Sequence, residues 1–190
     1  MEALKQQVLT EGRNLGNGIL KVDSFINHQI DPELMVEVGQ EMALRFADAE
    51  VNKVLTAEIS GIAPALATGQ ALGVPVVYAR KTRPVTMTGP VFVEVAPSHT
   101  KGRDVFLMVS TEFLGHGDRV LVVDDFLATG ATISALVRLI QHAEAELVGI
   151  GTVIEKSFEG GRRDLEAFGV PIVSLAVVSD MSNGQIRLAQ

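Results

Sequence analysis

Short β-branched runs alternate with segments of helical period along this chain, and glycine and proline punctuate the boundaries. Residues 1–13 predict a first helix with Leu4, Val8 and Leu9 on one face. Asp31-Pro32-Glu33 is a helix start: Asp31 can cap, and Pro32 suits the first helical position. Met35, Val38, Met42 and Phe46 then recur at helical spacing. Val51–Ala57 predicts a strand, Gly61–Leu72 a helix and Val74–Ala79 a strand. Asp104–Ser110 and Arg119–Val123 are further strands. Ile133, Leu136, Val137 and Ile140 mark an amphipathic helix. Leu147–Ile154, Arg162–Phe168 and Pro171–Val178 complete a strand–helix–strand ending. Strands apolar throughout and separated by helices predict an α/β fold, a mostly parallel central sheet with helices on both faces.

Residues 82–102 break this rhythm. They hold Pro84, Gly89, Pro90, Pro97 and Gly102, with alternation at Val91, Val93 and Val95. They predict a long excursion containing a weak hairpin. Long loops in compact domains often serve as lids.

Composition narrows the function. The 190 residues suit one domain and carry a net charge of −7. Apolar residues make up 47%, so a sizeable core is expected. An acidic chain argues against general nucleic-acid binding. No apolar stretch approaches the ~18 residues of a membrane helix, and the first residues have no apolar signal core. A cytoplasmic protein is the default expectation. With no cysteine, disulfides, iron–sulfur clusters and thiolate catalysis are excluded. The four histidines show no zinc spacing.

The chemistry concentrates in residues 120–132, VLVVDDFLATGAT. An apolar strand ends in Asp124 and Asp125. The small-residue loop Ala128-Thr129-Gly130-Ala131-Thr132 follows, and a helix begins. Ligands of open α/β sheets sit at the carboxyl ends of strands. Loop N–H groups and the helix N-terminus form an anion site, to which Thr129 and Thr132 can add hydroxyl donors. Two carboxylates cannot bind that anion; they are placed for hydroxyls or a metal-linked group beside it. A sugar 5-phosphate satisfies both halves. Apolar strands ending in paired aspartates also occur in nucleotide hydrolases and phosphorylated receivers. The absence of a Gly-x-x-x-x-Gly-Lys-Ser/Thr motif weakens the hydrolase alternative.

Four apolar residues, two acids, two apolar residues and Ala-Thr-Gly-Ala-Thr resemble the phosphoribosyl pyrophosphate (PRPP) motif of type I phosphoribosyltransferases. The resemblance extends over most of the chain. Residues 22–32 (VDSFINHQIDP), Ser60–Ala65, Val74–Lys81 and Gly149–Phe158 are similar to the bacterial xanthine-using branch of that family. The loop departs from that branch, which often carries Asn and Gln at the positions of Thr129 and Ala131.

The resemblance implies roles residue by residue. Ala128–Thr132 would wrap the 5-phosphate, and Asp124 and Asp125, the catalytic candidates, would face the ribose hydroxyls. Ser60 and Gly61 would contact the pyrophosphate, with Arg80 and Lys81 nearby. Leu20, Asn27 and Lys156 would bind the base, Lys156 through the purine 6-oxo group, with Phe158 near the ring. A single domain is implied, with a small base-binding hood from about residues 14–30 and a long flexible loop. Residues 80–103 carry five basic side chains (Arg80, Lys81, Arg83, Lys101, Arg103) against Glu94, which would give a positive lid. Mg²⁺ would arrive with PRPP and not in a protein-built metal site. The implied partners are xanthine, PRPP and a second copy of the chain, with no nucleic acid and no membrane. A guanine or hypoxanthine transferase of the same fold stays open. So does a PRPP-sensing regulator, which the lack of a basic DNA-reading segment disfavours.

Overall fold

A computed structural model describes residues 1–96 and 104–189. Its centre is a six-stranded sheet built from β3 (Lys53–Ala57), β4 (Val76–Ala79), β7 (Arg119–Leu127), β8 (Glu146–Lys156), β9 (Ile172–Asp180) and β10 (Arg187–Leu188). The spatial order is β10-β9-β8-β7-β3-β4. All neighbours are parallel except β10, which pairs antiparallel with β9. Period-2 alternation explains why β7 reads as continuously apolar. Leu121 and Val123 enter one core and Val120 and Val122 the other, all fully buried.

Helices α1 (Glu2–Glu11), α2 (Pro32–Arg45) and α3 (Ile62–Leu72) cover the first face. The Asp31 carboxylate accepts from the N–H groups of Glu33 and Leu34 at 3.0 and 3.1 Å, the cap expected at Pro32. Helix α4 (Ala131–His142) covers the second face, its apolar stripe filled by Ile133, Leu136, Val137 and Ile140.

Three expectations need correction. β7 is not confined to the apolar run ending at Val123, nor does it stop at the acidic pair: it runs to Leu127, so Asp124 and Asp125 lie inside the strand and not at its last residues. The helix expected over Arg162–Phe168 is only the short α5 (Gly161–Leu165) followed by a 3₁₀ turn, Glu166–Phe168. Gly160 and Gly169, both at positive φ, bracket it and leave no room for more turns. The strand at 104–110 does not join the central sheet. It is β6 (Val105–Ser110), paired antiparallel with β5 (Val91–Ala96) as a separate hairpin. The alternating valines therefore do mark a hairpin. Glu94 straps it to α4 by an ion pair with Arg138 at 2.6 Å.

Before α2 the chain forms a small two-stranded ribbon, β1 (Arg13–Asn14) with β2 (Leu20–Lys21), and a π-helical turn at Asp23–Asn27. This segment reaches the carboxyl end of β8, where the candidate site lies.

Candidate active site

The carboxyl ends of the parallel strands converge on one face. β7 supplies the two aspartates. Asp124 and Asp125 are only 6% and 8% exposed. The Asp125 N–H donates to Asp124 Oδ1 at 3.0 Å. Burial raises the Asp124 pKa well above the usual carboxylate range, and the neighbouring Asp125 charge raises it further; Lys81 opposes the shift. Two buried carboxyls side by side are costly to keep unless a ligand uses them.

The turn after β3 lies against this pair. A Cβ on Gly61 would sit 2.5 Å from Asp124 Oδ1 and 2.2 Å from the Thr56 hydroxyl. Only glycine allows the turn to approach so closely. The expected pyrophosphate turn and the acidic pair therefore form one site. Thr56 is fully buried, and its hydroxyl has no hydrogen-bond partner among the described residues.

Glu58, which the sequence analysis passed over, organises this turn. Its carboxylate accepts from the Lys81 N–H at 2.6 Å. The Arg80 Nε lies 2.7 Å from the same carboxylate, off the hydrogen-bond axis, as an ion pair. Arg80 also stacks over Tyr78, 5.7 Å from the ring centroid. Arg80 thus secures the turn, while Lys81 stays exposed with its charge felt at Asp124.

The basic excursion is only partly what its composition suggests. Arg83 is exposed but folds back on its own loop, donating to the carbonyls of Met87 and Gly89 at 2.8 and 2.7 Å. Lys101 and Arg103 lie outside the described residues.

The loop expected to hold the phosphate joins β7 to α4 through Ala128–Gly130. Gly130 is left-handed (φ 77°) and opens the helix, with no side-chain cap on the first-turn N–H groups. Ala131 and Thr132 are half-buried at the helix start. These unclaimed donors suit an anion.

At the end of β8, Lys156 donates to the Gly18 carbonyl at 3.0 Å and pairs with the Glu159 carboxylate. Phe158 is 44% exposed and lies against Gly18. The N-terminal ribbon is thereby tied to the lysine. Leu20 is buried in the first core at the start of β2, and Asn27 is exposed at the end of the π-turn. No hydrogen bond joins Asn27 to Lys156 among the described residues. Glu159 was legible only as a surface acid; its lysine contact depends on the 3₁₀ turn at Ser157–Glu159.

The preceding residue, Glu155, faces the other way and is 2% exposed. It receives Arg162 in a forked contact, Nη2 at 2.6 Å and Nε at 2.9 and 3.0 Å, and the Ser174 hydroxyl at 2.6 Å. Burial pushes the Glu155 pKa up, but these hydrogen bonds outweigh it, and the carboxyl stays below its usual range. No group of three or more metal-ligating side chains occurs among the described residues. None of the helices among the described residues is long and apolar enough to cross a membrane.

Comparison with known proteins agrees with this geometry. The family model "Phosphoribosyl transferase domain" matches residues 40–179. A xanthine phosphoribosyltransferase of Deinococcus deserti is 51% identical over 184 residues, 97% of this chain and 95% of that one. One from Oceanobacillus iheyensis is 45% identical over all of this chain and 98% of that one. Among solved structures, an adenine phosphoribosyltransferase of Rhodothermus marinus superposes with a TM-score of 0.68 at 29% identity, covering 78% of this chain and 81% of that one. That of Leishmania donovani gives 0.74 at 19% identity, over 92% and 80%, a likeness of fold alone.

Proposed function

The chain belongs to the phosphoribosyltransferase family, and from that premise we propose that it transfers the 5-phosphoribosyl group of PRPP to xanthine, forming xanthosine 5′-phosphate and pyrophosphate. The observation that carries the reading is the convergence of two buried aspartates, the Gly61 turn and the uncapped start of α4 on one face. The choice of xanthine rests on the relatives at 45–51% identity, which bear that name.

In this reading residues 1–190 act as a single domain whose N-terminal segment, about residues 14–30, is the base hood. The N–H groups of Ala128–Thr132 hold the 5-phosphate. Asp124 and Asp125 accept from the ribose hydroxyls and oppose the positive charge that develops on the ring as the C1–oxygen bond breaks. Ser60 and Gly61 hold the departing pyrophosphate, with Arg80 and Lys81 beside them. Mg²⁺ carried on PRPP supplies charge neutralisation for that leaving group. Lys156 donates to the 6-oxo group, leaving its contact with Gly18, while Leu20 and Asn27 complete the pocket. A 6-oxo purine accepts from a lysine; the 6-amino group of adenine does not.

Turnover tests the reading directly. With PRPP and Mg²⁺, xanthine should be consumed in preference to guanine, hypoxanthine or adenine. Lys156→Ala should lower kcat/KM for xanthine by about two orders of magnitude, the worth of one charged hydrogen bond in a closed site. A preference for guanine or hypoxanthine would keep the PRPP site and reject the base assignment.

The reaction is read as cytoplasmic, because a polyanionic donor does not cross a bilayer unaided. The assembly is read as a homodimer. The edge of β4 is paired only just past its end, where Arg80 bridges Met108, and Tyr78 (41% exposed) and Phe113 (54%) line a groove of about 540 Å³ beside it. Sedimentation should return twice the 20.3 kDa chain mass. Phe113→Lys should shift the species toward monomer; an unchanged mass would move the interface elsewhere.

A further inference from the structure

Outside the groups already given roles, a part-buried polar cluster joins β8, β9 and α5. Glu155 is its centre. Arg162 forks onto it and also donates to the Ile172 carbonyl at 3.1 Å and to Ser174 Oγ at 3.1 Å. Thr152 Oγ1 lies 2.9 Å from the same serine. The Arg162 bonds fix the first residues of α5 against the sheet, and the Ser174 bonds to Glu155 and Thr152 join β8 to β9 beneath them.

The start of α5 touches the phosphate loop by backbone alone. The Gly161 N–H donates to the Ala128 carbonyl at 3.1 Å. A Cβ on Gly161 would lie 2.3 Å from Ala128 O, 2.5 Å from Thr129 C and 2.6 Å from Gly130 N. All three are backbone atoms, so no side chain could swing aside. Gly161 has an ordinary backbone conformation; the requirement here is space. From the other side, Gly130 packs 3.4 Å from the Gly161 Cα, measured from its own ideal Cβ position.

We infer that Gly161, clamped by Arg162 and Ser174 gathered on the buried Glu155 carboxylate, is a positioning residue that sets the 5-phosphate loop from behind. The inference rests on the reading of residues 128–132 as that loop. An anion held by backbone N–H groups needs all of them aimed at one point, and the loop has no side chain of its own that fixes its path. Gly161 supplies one hydrogen bond and a flat surface against which the turn is pressed. The cluster keeps that surface in place. Glu155 and Lys156 are adjacent on β8 and face opposite sides, so the strand end that presents the base lysine also holds the loop support.

The test separates the two anion sites of the enzyme. Affinities for ribose 5-phosphate and for Mg²⁺-pyrophosphate are measured by calorimetry on the full chain, with thermal melting in parallel. Gly161→Ala should weaken ribose 5-phosphate by about tenfold or more, since small misplacements of a binding constellation cost this much, and leave pyrophosphate within about twofold. Arg162→Lys, which keeps the charge but loses the fork, should show a smaller selective loss. Should Gly161→Ala not fold, the Arg162→Lys contrast decides. Unchanged ribose 5-phosphate affinity, or equal loss of both ligands together with a fall in Tm, would overturn the inference. Ala131→Glu is the control for the underlying reading. If it spares ribose 5-phosphate, the loop itself is misassigned; if it abolishes binding while Gly161→Ala does not, only the role of Gly161 fails.

Discussion

Asp124→Asn is expected to slow turnover by about two to three orders of magnitude and at the same time to raise the melting temperature, the first figure being that typical of one lost electrostatic partner. The two effects share a cause. Asp124 is buried beside Asp125, and burial followed by the neighbouring charge raises its pKa. A carboxyl that holds its proton more tightly folded than unfolded makes the native state lose stability as pH rises from the ordinary carboxylate range to the raised value. At neutral pH the fold therefore carries an unfavourable carboxyl, whose use in the proposed reaction is to meet ribose hydroxyls and developing positive charge. Asparagine keeps an oxygen for the Asp125 N–H and removes both the charge and its repulsion. The measurement is Tm against pH for both proteins, alongside kcat. The wild type should lose stability across that window and the variant should not. A variant that melts lower and keeps its activity would show that Asp124 is a structural residue.

Ala131→Glu is expected to abolish measurable PRPP binding without harming the fold. Ala131 is the first residue of α4 and half-buried, at the edge of the N–H cradle. A carboxylate there occupies the anion site from within and repels the incoming phosphate. The loss should exceed about a thousandfold in affinity, since the helix-end donors and the local positive potential are claimed together. The same charge complements the helix dipole, worth about 0.5 kcal/mol, so Tm should hold or rise slightly. Xanthine turnover falling in proportion would confirm that the phosphate is bound here. PRPP affinity within tenfold of the wild type would place the 5-phosphate elsewhere.

Much of this architecture was legible in the chain, for particular reasons. The apolar runs of β3, β7, β8 and β9 could be read because strands buried on both faces leave few polar positions. The start of α2 was legible because Asp31-Pro32 is a local signal whose geometry involves only neighbouring residues. The acidic pair and the Ala-Thr-Gly-Ala-Thr loop stood out because close backbone approach to a phosphate demands small residues at that spacing. What remained hidden lay in contacts between distant segments. Glu58 reads as an ordinary strand-end acid until β4 brings Arg80 and the Lys81 N–H to it, over twenty residues later. Arg83 reads as a free basic side chain, yet its guanidinium donors are held by carbonyls of its own loop.

The sequence by itself determined the alternation of strands and helices, the two cores of β7 and the chemistry available at its end, because periodicity, capping and residue size act locally. The tertiary structure alone decided which of the charged groups face a ligand. Asp124 and Asp125 became a strained pair only when β7 continued to Leu127 and the Gly61 turn closed over them. Glu155 and Lys156, neighbours in sequence, parted into a buried clamp and a lysine held against the N-terminal ribbon because successive strand residues point to opposite faces. Whether a charge is buried, paired or free depends on which segments meet across the sheet, and that is a property of the packed chain.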